Sequence, residues 1–280
     1  MTFSIAARCD RTGQLGVAVA SHAFAVGAAA PWAVAGVGAG VTQSIPGAAH
    51  SAELTAMLVA GVAPPDAVRR LLGADDQAPL RQVGLVDTRG AAAGRTGTAC
   101  VPFAGTATGD GVVAQGNMLA ADGIWTAMAE RFGLSTGDLA SRLLDALRAG
   151  EKLGGDVRGR QSAALLVVDG EPGGERLVDV RVDDHHQPLV ELGRLAALQH
   201  ADRRMRAAIQ GIVAGTSLDA VVADLREIQR GFGDNPEPTF WACVAGALAG
   251  RPDHERLSVL DAHPGWARLY ERILAVRAAP

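Results

Sequence analysis

Thr2 is a hydroxyl placed where it can become a nucleophile. A small side chain directly behind the first methionine favours cleavage of that methionine, so loss of Met1 is expected to leave a threonine with a free α-amine. A threonine hydroxyl is a poor nucleophile alone, but an adjacent amine with a reference pKa of about 7.7 to 8.0 can take its proton near neutral pH. Many ordinary chains also begin Met-Thr, so the position by itself selects no function. A second concentration of reactive types is the run Gly154-Gly155-Asp156-Val157-Arg158-Gly159-Arg160-Gln161-Ser162, just ahead of an apolar stretch. Asp156 can orient an amine or a hydroxyl there. Arg158 or Arg160 can grip a substrate carboxylate through paired N–H donors. A salt-bridged loop would use the same residues.

Other reactive types lead nowhere definite. Asp183-Asp184-His185-His186 has metal-ligand chemistry, yet neighbours on a strand point to opposite faces and no HExxH motif completes a set. A strand-end turn is expected there, and no metal. His22 and His50 stand alone beside apolar runs and read as hydrogen-bonding residues. Cys9, Cys100 and Cys243 are far apart, without CxxC spacing or an evident histidine partner, so burial in a reducing cytoplasm is expected and thiol catalysis is not. The glycine-rich stretches at 36–40 and 109–111 lack GxxxxGK[ST], and no GxGxxG opens a helix, so no cofactor is expected.

The elements that must position these residues follow from periodicity. Runs at 3–8 and 15–20 flank the Asp10-Arg11-Thr12-Gly13 turn and read as a hairpin. A single glycine-rich strand is expected over 34–43, then helices at 48–58 and 64–72, the second opened by Pro64-Pro65. Strands follow at 82–87, 91–96 and 112–115, then helices from about 116–119 to 132 and over 138–149, with Thr136 or Asp138 as cap. Two central strands are expected at 163–168 and 177–182. This order packs economically as an antiparallel sheet stack with helix pairs on both outer faces. Beyond about residue 192 the spacing turns helical, over 191–214, 218–229, 239–249, 255–261 and 266–276. The reading is a domain over 1–200 and a small all-α module over 201–280.

Composition narrows the classes. Of 280 residues, 48% are hydrophobic and only 4% aromatic, so small aliphatic side chains and 35 glycines must fill the core. Net charge is −4 and Lys152 is the only lysine, which argues against a nucleic-acid partner. Residues 12–52 carry no Asp, Glu, Lys or Arg, but Pro31, Gln43 and many glycines break the stretch below the ~20 apolar residues of a membrane helix. No signal segment is legible, so no membrane association is expected.

A hairpin beginning at Thr2, a glycine-rich strand and then a helix resemble the N-terminal nucleophile hydrolases, of which proteasome β-subunits are the best-known example. The resemblance sharpens to one uncharacterised family of that superfamily, known as a domain of unknown function. It is carried by TFSIAARCDRTGQLGVAVASHAFAVG at 2–27, PWAVAGVGAGVTQS at 31–44, TGDGVVAQGNML at 108–119, GGDVRGRQSAALLVV at 154–168 and VDVRVDDHHQPLVEL at 178–192. It implies an α+β fold, a four-layer αββα sandwich with the nucleophile at the start of the first strand. It also implies an oxyanion hole near Gln43 and Ser44, where a helix start capped by Ser44 or Ser51 is the plainer alternative. Asn117 falls where proteasome-like enzymes keep a serine that bonds the terminal amine, although it would serve equally as a helix cap. Ser21 lies near where proteasomes keep an acid, and the lysine of their third strand has no counterpart over 34–43. A nucleophile at Thr2 must therefore rely on its own amine.

The 201–280 module resembles a C-terminal module of some members that carries the label of a peptidoglycan-binding domain. Trp241 and Trp266 are expected to pack a small core there. The reading that emerges is an amidohydrolase acting on a small-molecule amide, with an anionic group on the substrate. Its catalytic residues are Thr2, Asn117 and Asp156, and Gln43, Ser44, Ser21, Arg158, Arg160 and Ser162 bind the oxyanion or substrate. A homo-oligomer is expected from the alanine-rich helix faces. The alternative is a non-catalytic binding or scaffold protein.

Overall fold

The computed structural model describes residues 2–47, 49–214, 216–253, 257–260 and 263–278. The chain divides into two compact units, Met1–Ala196 and Ala197–Pro280. In the first unit, β1 (Thr2–Arg8), β2 (Leu15–Ser21), β7 (Gly105–Gly109), β8 (Val112–Asn117), β9 (Ser162–Val168) and β10 (Arg176–Val182) form an antiparallel sheet ordered β10-β9-β2-β1-β8-β7. A second antiparallel sheet runs in chain order through β3 (Pro31–Val34), β4 (Gly38–Ser44), β5 (Arg81–Asp87) and β6 (Ala92–Thr96).

Alternation along the strands builds three apolar layers. Ala6, Val17, Val19, Ala39, Val41, Val86 and Val113 pack between the two sheets. Phe3, Ile5, Ala18 and Leu165 face outward from the six-stranded sheet onto α3 (Ile124–Leu134) and α4 (Leu139–Lys152). Val83 and Leu85 face outward from the four-stranded sheet onto α1 (His50–Val59) and α2 (Pro64–Gly73). The result is an α+β fold, a four-layer αββα sandwich. Helix and sheet come close at Gly16 on β2, where a Cβ would lie 2.7 Å from the end of the Leu143 side chain of α4 and make it shift. Asp138 caps α4, its carboxylate accepting the Ser141 N–H at 2.8 Å.

The second unit contains the end of α5 (Pro188–Ala214) with α6 (Leu218–Phe232), α7 (Glu237–Leu248) and α8 (Pro264–Ala278). Met205, Ile212, Leu225 and Ile228 form one core of this all-α unit, and Phe240, Val244 and Leu260 a second. The Phe240 ring meets Trp241 at 5.1 Å and Trp266 at 4.8 Å between centroids, so these aromatic faces are engaged in packing. Among the described residues no helix is long and apolar enough to cross a membrane.

Several local expectations are corrected. The run 34–43 is two strands, because Gly36 at φ 69° turns the chain between β3 and β4. The strand β7, rich in glycine and threonine, gave no apolar signal. The strand at 177–182 is an edge strand, β10, half-exposed along its length. No helix starts at Asn117: Met118 sits at φ 58° and α3 begins only at Ile124, so Asn117 is the last residue of β8 and caps nothing. Ser44 ends β4 at φ 71°, and α1 starts after Ala49 with no side-chain cap, which removes the capping alternative for Ser44 and Ser51. Of the helix expected at 255–261, residues 255, 256, 261 lie outside the described residues, and 258–260 form a single 3-10 turn.

Candidate active site

The register of the six-stranded sheet assembles the site. Thr2 pairs with Asn117 of β8, and Ser21 pairs with Ser162 of β9. The Thr2 hydroxyl donates to Ser21 Oγ at 3.3 Å, which closes the row Asn117–Thr2–Ser21–Ser162 across four adjacent strands. Thr2 shares its face with Ser4 and Ala6, and Ala6 belongs to the layer between the sheets, so the row faces that layer. All four residues are buried.

The four-stranded sheet meets the row with amides. Gln43 Nε2 donates to the Thr2 carbonyl oxygen at 3.1 Å and to Gln82 Oε1 at 2.7 Å, while Gln43 Oε1 accepts from Ser4 Oγ at 2.7 Å. Asn117 Nδ2 donates to the same Gln82 oxygen at 2.9 Å. Gln82 Nε2 donates in turn to Thr96 Oγ1 at 2.8 Å, Gly105 O at 3.2 Å and Gly116 O at 2.8 Å. Ser4, Gln43, Gln82 and Asn117 are each at most 2% exposed, a depth at which an unpaired amide would be costly. Ser4 and Gln82 escaped the sequence reading. Their signal was weak: each is one polar residue within a largely apolar strand, and only the tertiary structure brings Ser4 to Gln43 and, through the β4–β5 register, Gln43 to Gln82.

The remaining expected residues fall into a shell around this row. Asp156, 4% exposed, forms a backbone bridge with Leu119. Its carboxylate accepts the His22 N–H at 2.8 Å and the Arg158 N–H at 3.0 Å, and pairs with the Arg158 guanidinium at 3.1 Å. These bonds fix the turns after β2 and before β9. Arg160 pairs with Glu151 at 3.1 Å. The side chains of Arg158 and Arg160 remain 41% and 51% exposed, within reach of solvent-borne anions. Ser162 Oγ donates to Ala23 O and accepts the Val26 N–H, so it ties β9 to the segment after β2. Ser44 Oγ accepts from the half-buried Cys100 thiol at 3.6 Å. Phe3, Ser21, Asp156, Arg160 and Ser162 line a cavity of about 20 Å³, room for about one water molecule. A larger cavity, about 630 Å³, lies between α2 and β6 and shares no residue with this cluster.

Charge enters one residue beyond the amides. Arg81, next to Gln82, pairs with Asp75 at 2.7 Å and donates to Ile45 O. The guanidinium holds the Asp75 carboxyl below the usual aspartate range, assisted by the Gln77 N–H. His50 Nε2 lies 3.3 Å from the same carboxylate, and His50 Nδ1 accepts the Gly47 N–H at 3.3 Å. The cluster anchors the loop that leaves β4 beside the row.

The Asp183-Asp184-His185-His186 stretch is a strand-end turn. Asp183 pairs with Arg181 at 2.9 Å, Asp184 accepts from Gln161, and the two histidine rings stack at 4.4 Å.

A family model described as a family of unknown function, DUF1028, matches residues 2–192. Among solved structures, protein SPO2555 from Silicibacter pomeroyi, itself described by that family model, is 33% identical with a TM-score of 0.64, over 69% of this chain and 84% of that one. Anbu, an ancestral β-subunit from Yersinia bercovieri, is 13% identical over 68% of this chain and 90% of that one. Its TM-score is 0.35. No curated protein matches the chain.

Proposed function

We propose that this chain, which belongs to the family of unknown function DUF1028, is an N-terminal nucleophile hydrolase that cleaves a small amide C–N bond, with Thr2 as nucleophile once Met1 is removed. The observation that carries this reading is the row Asn117–Thr2–Ser21–Ser162, which faces an amide network whose members hold one another and the Thr2 carbonyl. Met1 itself lies outside the described residues.

In this reading the α-amine of Thr2 takes the hydroxyl proton, with Ser21 Oγ positioned to relay it, while Thr2 Oγ1 attacks the substrate carbonyl carbon. A C–O bond forms and negative charge develops on the carbonyl oxygen. Both N–H groups of the Gln43 amide are engaged, so the donor assigned to that oxygen is the second N–H of Asn117 in place of Gln43. The protonated amine then gives its proton to the leaving nitrogen as the C–N bond breaks. A water, deprotonated by the same amine, hydrolyses the Thr2 ester, releasing a carboxylic acid and restoring the hydroxyl. Arg160, which lines the small cavity, and the nearby Arg158 are both partly exposed and suit a substrate that carries a carboxylate away from its scissile bond. Asp156 holds the turns that carry His22 and Arg158.

A screen of small amides bearing a free carboxylate tests the reading. Hydrolysis by the wild type that Thr2→Ala abolishes, with KM raised in Arg158→Ala or Arg160→Ala, supports it. A second reading, a non-catalytic binding domain, is favoured by the uncharged character of Ser21 and Gln43, two groups that bond Thr2. It expects Thr2→Ala to retain every measurable ligand interaction.

A further inference from the structure

We infer that Gln82 is the positioning residue of the Thr2 site, the one side chain that sets the geometry of both amides flanking the nucleophile. The inference rests on the reading of Thr2 as nucleophile and goes beyond it, because Gln82 acts on Thr2 through Gln43 and Asn117.

Gln82 Oε1 is a shared acceptor. It takes the Gln43 amide from its own sheet at 2.7 Å and the Asn117 amide from the facing sheet at 2.9 Å. Gln43 passes the constraint to the Thr2 carbonyl at 3.1 Å, and Asn117 is the strand partner of Thr2. At the nitrogen end two N–H groups are shared among three acceptors, Thr96 Oγ1 and the carbonyls of Gly105 and Gly116. Those three anchors come from β6, β7 and β8, so one fully buried amide locks the two sheets together directly behind the row. Removing it leaves Gln43 Nε2 and Asn117 Nδ2 each without that acceptor in a dry interior, where each amide gains by turning to another partner. Either rotation moves a group bonded to, or paired with, Thr2. Small displacements at a reacting centre can cost up to about a hundredfold in rate. A residue that merely stabilised the sandwich would lower the unfolding temperature without touching reactivity.

The test measures acylation of Thr2 by a β-lactone probe as a function of pH, with the adduct located by tandem mass spectrometry. Gln82→Met keeps the volume and removes every hydrogen bond. Leu85→Val, on the same strand but facing the helix layer, is the control for destabilisation alone. We expect Gln82→Met, at a temperature where it is folded, to be acylated about ten- to a hundredfold more slowly with a shifted pH midpoint, and Leu85→Val to match the wild type. Gln82→Glu retains an accepting oxygen and should recover part of the rate relative to Gln82→Met. Should Gln82→Met fail to fold, Gln82→Glu against the wild type decides: its pH midpoint should move upward, because a carboxylate one amide removed from the Thr2 backbone in a dry interior favours the amine's charged form. Wild-type rates and midpoints in the Gln82 variants, or equal slowing in Leu85→Val, would overturn the inference. A wild type that takes no label at Thr2 overturns the nucleophile reading first and this one with it.

Discussion

The layer between the two sheets has two ends of opposite character, built by the same strands. Away from Thr2, β1, β4, β5 and β8 contribute Ala6, Ala39, Val86 and Val113 to a dry apolar contact. Toward Thr2, the same four strands contribute Thr2 and Ser4, Gln43, Gln82, and Gln115 and Asn117. Burying amides costs free energy unless each is paired, so stability alone would have continued the apolar pattern to the strand ends. The apolar end holds the sandwich together by volume; the polar end holds a geometry. A substitution should therefore reveal which end it is in by what it disturbs.

The largest contrast is expected from Thr2→Ala, which should remove probe labelling and amide hydrolysis entirely while shifting the thermal unfolding only slightly; loss of folding would instead place Thr2 with the structural end. Next comes Leu15→Ala, fully buried in the apolar layer. It should cost about 2–5 kcal/mol by denaturant unfolding, with labelling of Thr2 retained in the folded fraction. Acidification should then separate the polar end from its charged neighbour. The Asp75 carboxyl is held below its unfolded range by Arg81, so its contribution to stability is present above the unfolded pKa and is lost as pH falls below about 4. Asp75→Asn should flatten that part of the stability-against-pH curve. The smallest effect is expected at Gln115, whose Oε1 is buried without a hydrogen-bond partner while Nε2 donates to Val41 O at 3.3 Å. Replacing it by Met should change stability by no more than about 1 kcal/mol, since an orphaned oxygen leaves together with the one bond.

This division also explains what the sequence made legible. The hairpin from Thr2 and the helix pairs follow from period and turn chemistry, which are local. Asp138 was readable as a cap for the same reason. The split of 34–43 into two strands was hidden because Gly36 is one of several glycines in that stretch, and which one turns depends on the tertiary path. Asn117 looked like a cap because a polar residue between a strand and a helix fits both roles until Met118 is known to be left-handed. Gln82 was invisible for a deeper reason. Its partners come from residues 43, 96, 105, 116 and 117, and no spacing in the chain announces a contact between the ends of two different sheets. Thr2 could be nominated from its place in the sequence, but the groups that hold it could not.

The central claim is that Thr2 is the nucleophile, and mass spectrometry of the purified protein before and after exposure to a β-lactone tests it most directly. The account predicts a chain that begins at Thr2 and a single adduct carried on that residue in the folded protein. Quantitative retention of Met1, or a folded chain with a free Thr2 that takes no adduct there, would contradict it.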